Sequence, residues 1–348
     1  MKSLKLFLLL IVLFLVSCGS NEPDYSPPEN GKNGYLVINE GLYGQNNSSL
    51  TFYDIDEDKV YQNVYVAANN GNDLGDTAND FAECCGKGFA VLDKSKKIEI
   101  IDLENFKSLG FIDFTDYGSP RNIVVYDSLR AFVTTLSNLV VEINPSAASV
   151  TNSIQVGDLP EDLVLHDEKL FVANSGFGQG NTVSVIDITS NSVIKEISVW
   201  KNPRFTAADE NSVYVISTGE YVPPGLGAVT KINPQTLTPE DTLFIEENPG
   251  KAKVIENNLF VIYGKGLAKI SLYTFSITDS VFISGSEVNT ITNVIYSLAY
   301  DYDSERFLLG NPKDFTQNGE IVVFDKNRTE LFRFQCGLNP GNIAVIKN

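Results

Sequence analysis

Gly157-Asp158-Leu159-Pro160-Glu161-Asp162-Leu163-Val164-Leu165, a turn at His166 to Lys169, Leu170-Phe171-Val172-Ala173-Asn174, a glycine-rich loop, Thr182-Val183-Ser184-Val185-Ile186-Asp187, a second turn and Val193 to Val199: this stretch decides the fold. Each piece is a short run rich in Val, Ile and Phe, closed by Gly, Asn, Asp or Ser, which is the signature of strands and turns. The unit therefore holds four strands.

The unit recurs along the chain. Its third-strand ending returns at Tyr53-Asp54, Ile101-Asp102, Ile143-Asn144, Ile186-Asp187, Ile232-Asn233, Ile270-Ser271 and Phe324-Asp325, a mean period of about 45 residues. The first-strand proline returns at Pro120, Pro160, Pro203, Pro249 and Pro340, and the last gap covers two periods with one unit lacking the proline. Four-stranded units of this period are blades of a β-propeller, each burying its faces against its neighbours. Seven endings predict an all-β, seven-bladed propeller with four antiparallel strands per blade. The competing parse, two smaller β domains, has no mid-chain shift in composition to support it. No long segment carries a 3.6-residue period, so helices are expected to be incidental.

The ends predict how the ring closes. Gly34 to Asn39 reads as a second strand with no first strand before it, and Leu338 to Ile346 reads as a first strand with no second strand after it. The C-terminal strand is expected to complete the first blade and remove the open edge.

Composition narrows the function. The 348 residues carry 26 Lys+Arg against 44 Asp+Glu, a net charge of −18, and one histidine, His166. An acidic chain without a basic run is a poor partner for nucleic acid. With 43% hydrophobic residues there is ample material for a core. One histidine leaves little for catalytic triads or transition-metal sites.

The N-terminus reads as an address. Lys2 and Lys5 precede an apolar run, Leu6 to Val16, that is shorter than the roughly 20 residues of a membrane span. Leu15-Val16-Ser17-Cys18 resembles a bacterial lipobox, which implies a removed signal at 1–17 and a diacylglycerol-modified Cys18. A polar tether (18–33) would follow, and then the propeller domain (34–348). Gly19 lacks the aspartate of inner-membrane retention. The expectation is an outer-membrane anchor through lipid only, and the acidic Glu22 and Asp24 are compatible with the cell surface. Cys84, Cys85 and Cys336 are then left, and they read as free or half-buried thiols.

In a propeller, the loops between second and third strands share a face with the connections between blades. Here that face carries 39–47, 174–181, 219–223 and 311–317, with connections at 76–80, 120–122, 200–204 and 248–249. Amides, aromatics and glycines dominate these loops. Aromatic rings can cover the apolar surface of a flat organic ligand while amides read its polar rim. Turns alone would explain the Asn and Gly, but not Tyr43, Phe177, Tyr221 and Phe315.

Other signals point to structure rather than chemistry. Asp54-Ile-Asp56-Glu-Asp58 starts like a calcium loop but lacks its glycine and closing glutamate, and reads as a hairpin turn. Gly176-x-Gly178-x-Gly180 opens no helix. His166 is expected on the surface, at the face opposite the amide-rich loops. Asp73, Asp76, Asp80 and Glu83 read as an acidic entry loop rather than paired glycosidase carboxylates, and no nucleophile elbow is present.

Leu170 to Pro203 resembles the YVTN (YncE-like) propeller repeats of bacterial surface proteins. The segment Val37 to Asp54, Leu74 to Asp80, Ser119-Pro120-Arg121 and the terminal Asn-Pro-Gly are similar to Bacteroidetes propeller lipoproteins, among them the BtuG-type surface proteins. That resemblance implies a non-enzymatic protein that captures cobalamin or a related corrinoid and passes it to a TonB-dependent outer-membrane transporter. It needs no cofactor and no metal of its own. The expected contacts are Asn39, Glu40, Tyr43, Gln45, Asn46, Asn79, Arg121, Asn174, Phe177, Arg204, Tyr221 and Phe315. A surface propeller for a protein or glycan partner is the alternative, and a lactonase- or lyase-type enzyme comes third.

Overall fold

The computed structural model describes residues 33–221 and 225–347; the expected signal, the expected lipidation at Cys18 and Val222-Pro223 lie outside the described residues. Seven four-stranded antiparallel sheets are arranged as blades, blades 2 to 7 each entered from an innermost strand. All seven third-strand endings fall where the repeat places them, from Asp54 in the first blade to Asp325 in the seventh. Only two short α-helices, Val64–Ala68 and Gly285–Val288, and one 3-10 turn, Gly176–Gly178, occur among the described residues.

Burial on both faces explains the inner strands. In the inner three strands of each blade both faces meet a neighbouring blade, so runs such as Leu170-Phe171-Val172-Ala173 are buried throughout. The outer strands read differently: Ser192–Ser198 is exposed except at Ile197. Apolar side chains interleave between adjacent blades, as where Phe132 and Val140 of blade 3 join Leu170 and Val172 of blade 4.

The ring closes through the two ends of the described chain. The strand Pro340–Lys347 pairs antiparallel with Asn33–Asn39 from Asn33↔Lys347 to Asn39↔Pro340, which completes the first blade. Every strand of the ring therefore lies within 33–347, and a fragment beginning at Gly19 contains all of them.

Around the axis, side chains of the innermost strands stitch one blade to the next. Asp162 Oδ2 accepts from the Thr206 backbone N–H (2.7 Å) and hydroxyl (2.9 Å) of the following blade. Asp80 likewise accepts from the Ile123 N–H at 2.9 Å and from the Asn342 amide. Burial, then the neighbouring Asp80 charge, pushes the Asp162 carboxyl up to about 7.

Two expectations are corrected. His166 is not a surface residue: it pairs with Lys169 as the last residue of its strand, leaving a two-residue turn, and it is 8% exposed. It does lie five residues, about 16 Å, along its strand from Glu161 at the opposite end of blade 4. The acidic residues are not one entry loop either. Asp76 accepts from the backbone N–H groups of Gly44 and Asn46, and Asp80 lies on an innermost strand. Asp54 accepts from the N–H groups of Asp56 and Glu57, the hairpin turn that the sequence implied.

Deleting 339–348 should remove the innermost strand of blade 1. Burial of Ile343 and Ile346 alone is worth about 3–6 kcal/mol, against a total stability of about 5–15 kcal/mol. The truncated protein should lose its cooperative melt near physiological temperature, as read by circular dichroism; melting like the intact chain would refute closure by this strand. A second expectation concerns pH. Because folded Asp162 holds its proton to about 7, against 3.8 for the ordinary group, the folded state binds more protons over that window and loses stability as pH rises. The unfolding free energy of Asp162→Asn minus wild type should rise between pH 5 and 7 and level off above 8 in urea titrations, whatever constant offset the amide adds. A flat difference would remove Asp162 as the titrating group.

Candidate functional site

The innermost strands deliver side chains to one mouth of the axis by a common local device. The residue before the repeat proline is left-handed at Leu159, Asn202, Asn248 and Asn339 (φ 46, 57, 53 and 55°), which turns the chain inward. Asparagine tolerates this conformation better than most residues, hence the recurring Asn-Pro. The residue after the proline then faces the axis mouth: Arg121, Glu161 and Arg204 occupy this position in blades 3, 4 and 5, and Asn79 is its counterpart in blade 2.

Together they line a cavity of about 1050 Å³. One wall is a chain of charges. Arg121 donates through Nε (2.9 Å) and Nη2 (2.7 Å) to Glu161 Oε2, and through Nη1 (2.7 Å) to Asp93 Oδ2. Asn79 donates to the same Asp93 oxygen at 3.2 Å. The other Glu161 oxygen faces Arg204 Nη2 at 3.4 Å, and Arg204 Nη1 donates to the Tyr221 hydroxyl at 2.7 Å. Four blades are joined by this chain, with its ions desolvated but paired.

Across the mouth, Glu40 accepts from the Tyr296 hydroxyl at 2.6 Å, and Lys251 donates to the Gly341 carbonyl. The Glu40 carboxyl packs so tightly against Gly341 that a Cβ there would displace it from the Tyr296 hydroxyl. Burial raises the Glu40 carboxyl above its usual range, an effect that Lys251 and the Tyr296 hydrogen bond partly offset. Burial, followed by the Glu40 charge, pushes the Tyr296 phenol up.

Aromatic rings form the rim. Tyr43 and Phe177 are 69% and 64% exposed, and Tyr221 is half-covered. Phe315 stands edge-on to Tyr296 at 5.5 Å between centroids.

Of the twelve residues expected at the site, Glu40, Tyr43, Asn79, Arg121, Phe177, Arg204, Tyr221 and Phe315 line the cavity. Asn39 and Asn174 do not. Both are buried at the ends of their strands, where Asn39 donates to Ser49 and Thr51 and Asn174 to Thr182 and Ser184. Their amides join second strand to third strand, so they are structural. Gln45 and Asn46 are exposed outside the cavity, and Asn46 donates to Asp73. Sequence reasoning missed Asp93, Glu161, Lys251, Tyr263 and Tyr296. Glu161 was within reach, since it follows Pro160 as Arg121 follows Pro120. Tyr296 sits in the unit without the proline, where that register has no marker. Among the described residues, no three His, Cys, Asp or Glu side chains converge to hold a metal ion, and no helix is long and apolar enough to cross a membrane.

Comparison with known proteins agrees with this architecture. The chain is similar to a quinonprotein alcohol dehydrogenase-like protein from Bacteroides thetaiotaomicron, with 16% identity over 91% of this chain and 79% of that one and a TM-score of 0.68. It is also similar to the hydrazine synthase of Kuenenia stuttgartiensis (15% identity, 78% and 95% covered, TM-score 0.59). A third similar structure is the dihydro-heme d1 dehydrogenase NirN in complex with DHE (12% identity, 93% and 77% covered, TM-score 0.58). At these identities the likeness establishes the propeller fold and nothing of the chemistry. No curated protein matches the sequence. The model of the family described as "Domain of unknown function (DUF5074)" matches residues 33–331, most of the seven-bladed ring, and the chain belongs to that family.

Proposed function

We propose that this protein is a non-enzymatic binding propeller, lipid-anchored at Cys18 on the outer membrane and displayed at the cell surface. On this reading it takes cobalamin or a related corrinoid into the axial cavity and hands it to a TonB-dependent transporter. The observation that carries the reading is the cavity itself: about 1050 Å³, at the top of the usual range for organic ligands, with exposed rings at its rim and paired charges in its wall.

Exposed rings such as Tyr43 and Phe177 are surface that a ligand can cover with gain. Paired charges such as Arg121 with Glu161 and Asp93 present a firm polar wall that does not call for a strongly charged guest. A flat, largely apolar macrocycle with amides around its edge suits both. Cobalt needs no protein ligand in this scheme, since His166 lies at the far end of its strand from the cavity. The same exposed rings also suit stacking against sugars, so a glycan or protein partner is the alternative.

Titrating the 19–348 fragment with cyanocobalamin and with cobinamide by calorimetry should give saturable heat at micromolar concentration, and the corrinoid should co-elute on gel filtration. Absence of both heat and co-elution would overturn the corrinoid reading in favour of a glycan or protein partner. Phe177→Ala should weaken corrinoid binding about fivefold to thirtyfold, or ~1–2 kcal/mol, with an unchanged melting temperature because the ring is 64% exposed. Unchanged affinity would remove Phe177 from the site.

A further inference from the structure

The turn joining the innermost and second strands of blade 2 holds two adjacent cysteines: Cys84 packs against the apolar cluster between blades 2 and 3, and the exposed Cys85 has no place in the core. Cys84 pairs with Lys87, leaving Cys85 and Gly86 as a two-residue loop. Both loop residues are left-handed, with φ 57 and 74°, the type I′ geometry whose first position ordinarily takes Asn, Asp or Gly. A cysteine there carries a conformational cost with no return from the hairpin. The two side chains converge, with Sγ atoms 2.6 Å apart; Cys85 is exposed and Cys84 half-buried. Cys336, the third thiol among the described residues, is fully buried.

We infer that Cys84 and Cys85 form a reversible dithiol/disulfide site, a modification site for oxidants of the disulfide class. Exposed Cys85 reacts first. Its thiolate attacks one sulfur of an external small-molecule or protein disulfide, breaking that S–S bond, and the expelled thiolate takes up a proton. Cys84 then loses its proton to solvent and attacks Cys85 Sγ, expelling the second external thiolate, which is protonated in turn. Two electrons pass to the oxidant: the Cys84–Cys85 bond and two external thiols replace two S–H groups and the external S–S bond. Burial, then the adjacent Cys85, pushes the Cys84 thiol up to about 11, which holds it back from the first step, whereas its attack in the second is intramolecular, on the neighbouring Cys85 Sγ.

Covalent geometry makes the bond labile. Consecutive Cα atoms lie about 3.8 Å apart, below the 4.4–6.8 Å that relaxed disulfides prefer, and such strained, exposed bonds are readily reduced. The loop closed is also too short for the entropic gain of a structural staple. The site is therefore a redox couple on the face opposite the cavity.

The test is thiol counting by mass spectrometry on the 19–348 fragment, alkylated in denaturant after exposure to oxidised glutathione. Wild type should show one alkylated thiol, Cys336, and a peptide spanning 84–85 lighter by two hydrogens; dithiothreitol should restore three alkylated thiols. C84S should trap a glutathione adduct on Cys85, and C336S should leave the 84–85 linkage intact. Three alkylated thiols in oxidised wild type, a persistent glutathione adduct in wild type, or a linkage from either residue to Cys336 would each overturn the proposal.

Discussion

The pairing of Pro340–Lys347 with Asn33–Asn39 is the contact on which the rest depends. A row of blades without it would end in an unpaired strand at one side and an unburied sheet face at the other, and the innermost strands would have no axis to share. Closure also builds the site. The closing strand carries Gly341, against which the Glu40 carboxyl packs and to whose carbonyl Lys251 donates, and Asn342, which donates to Asp80 of the next blade. Ring and cavity wall are therefore one construction.

Polar groups near the axis follow a division of labour set by depth. At the mouth, Arg121, Glu161, Asp93 and Arg204 are ion-paired across blades. Farther along the innermost strands, Asp80 and Asp162 accept hydrogen bonds from the backbone of the following blade. The first group keeps the wall rigid while facing the cavity. The second holds blade to blade where an apolar side chain could not satisfy the backbone groups freed by the irregular starts of the innermost strands of blades 3 and 5. Around the mouth, Arg121, Arg204 and Lys251 stand beside Glu40, Asp93, Glu161 and Glu247, so charges nearly balance there in an otherwise acidic molecule.

The repeat was legible because each third strand ends in the same way, apolar residue then Asp, Asn or Ser, as a strand entering a short turn must. Closure was legible because the two half-blades at the ends had complementary gaps. Side-chain direction at strand ends was not. Asn39 and Asn174 stand where strand meets loop and were read with the amide-rich face, yet as the last residues of their strands they turn inward, and their amides go to neighbouring hydroxyls. His166 was placed in a turn for the converse reason, since a two-residue turn leaves it paired. Lys251 and Tyr296 reach the cavity from blades 6 and 7, where a glycine follows the proline or the proline is missing, so no repeated position marked them.

On the proposed reading, the axial cavity is the seat of a corrinoid. The measurement that bears on it most directly is a crystal structure of the protein grown with cyanocobalamin, with cobalt located by its anomalous scattering. The account predicts one cobalt over the axis mouth, within the ring of Tyr43, Phe177, Tyr221 and Phe315. Ordered cobalt against an outer strand or the opposite face, or crystals of the folded protein with no cobalt at saturating ligand, would contradict it.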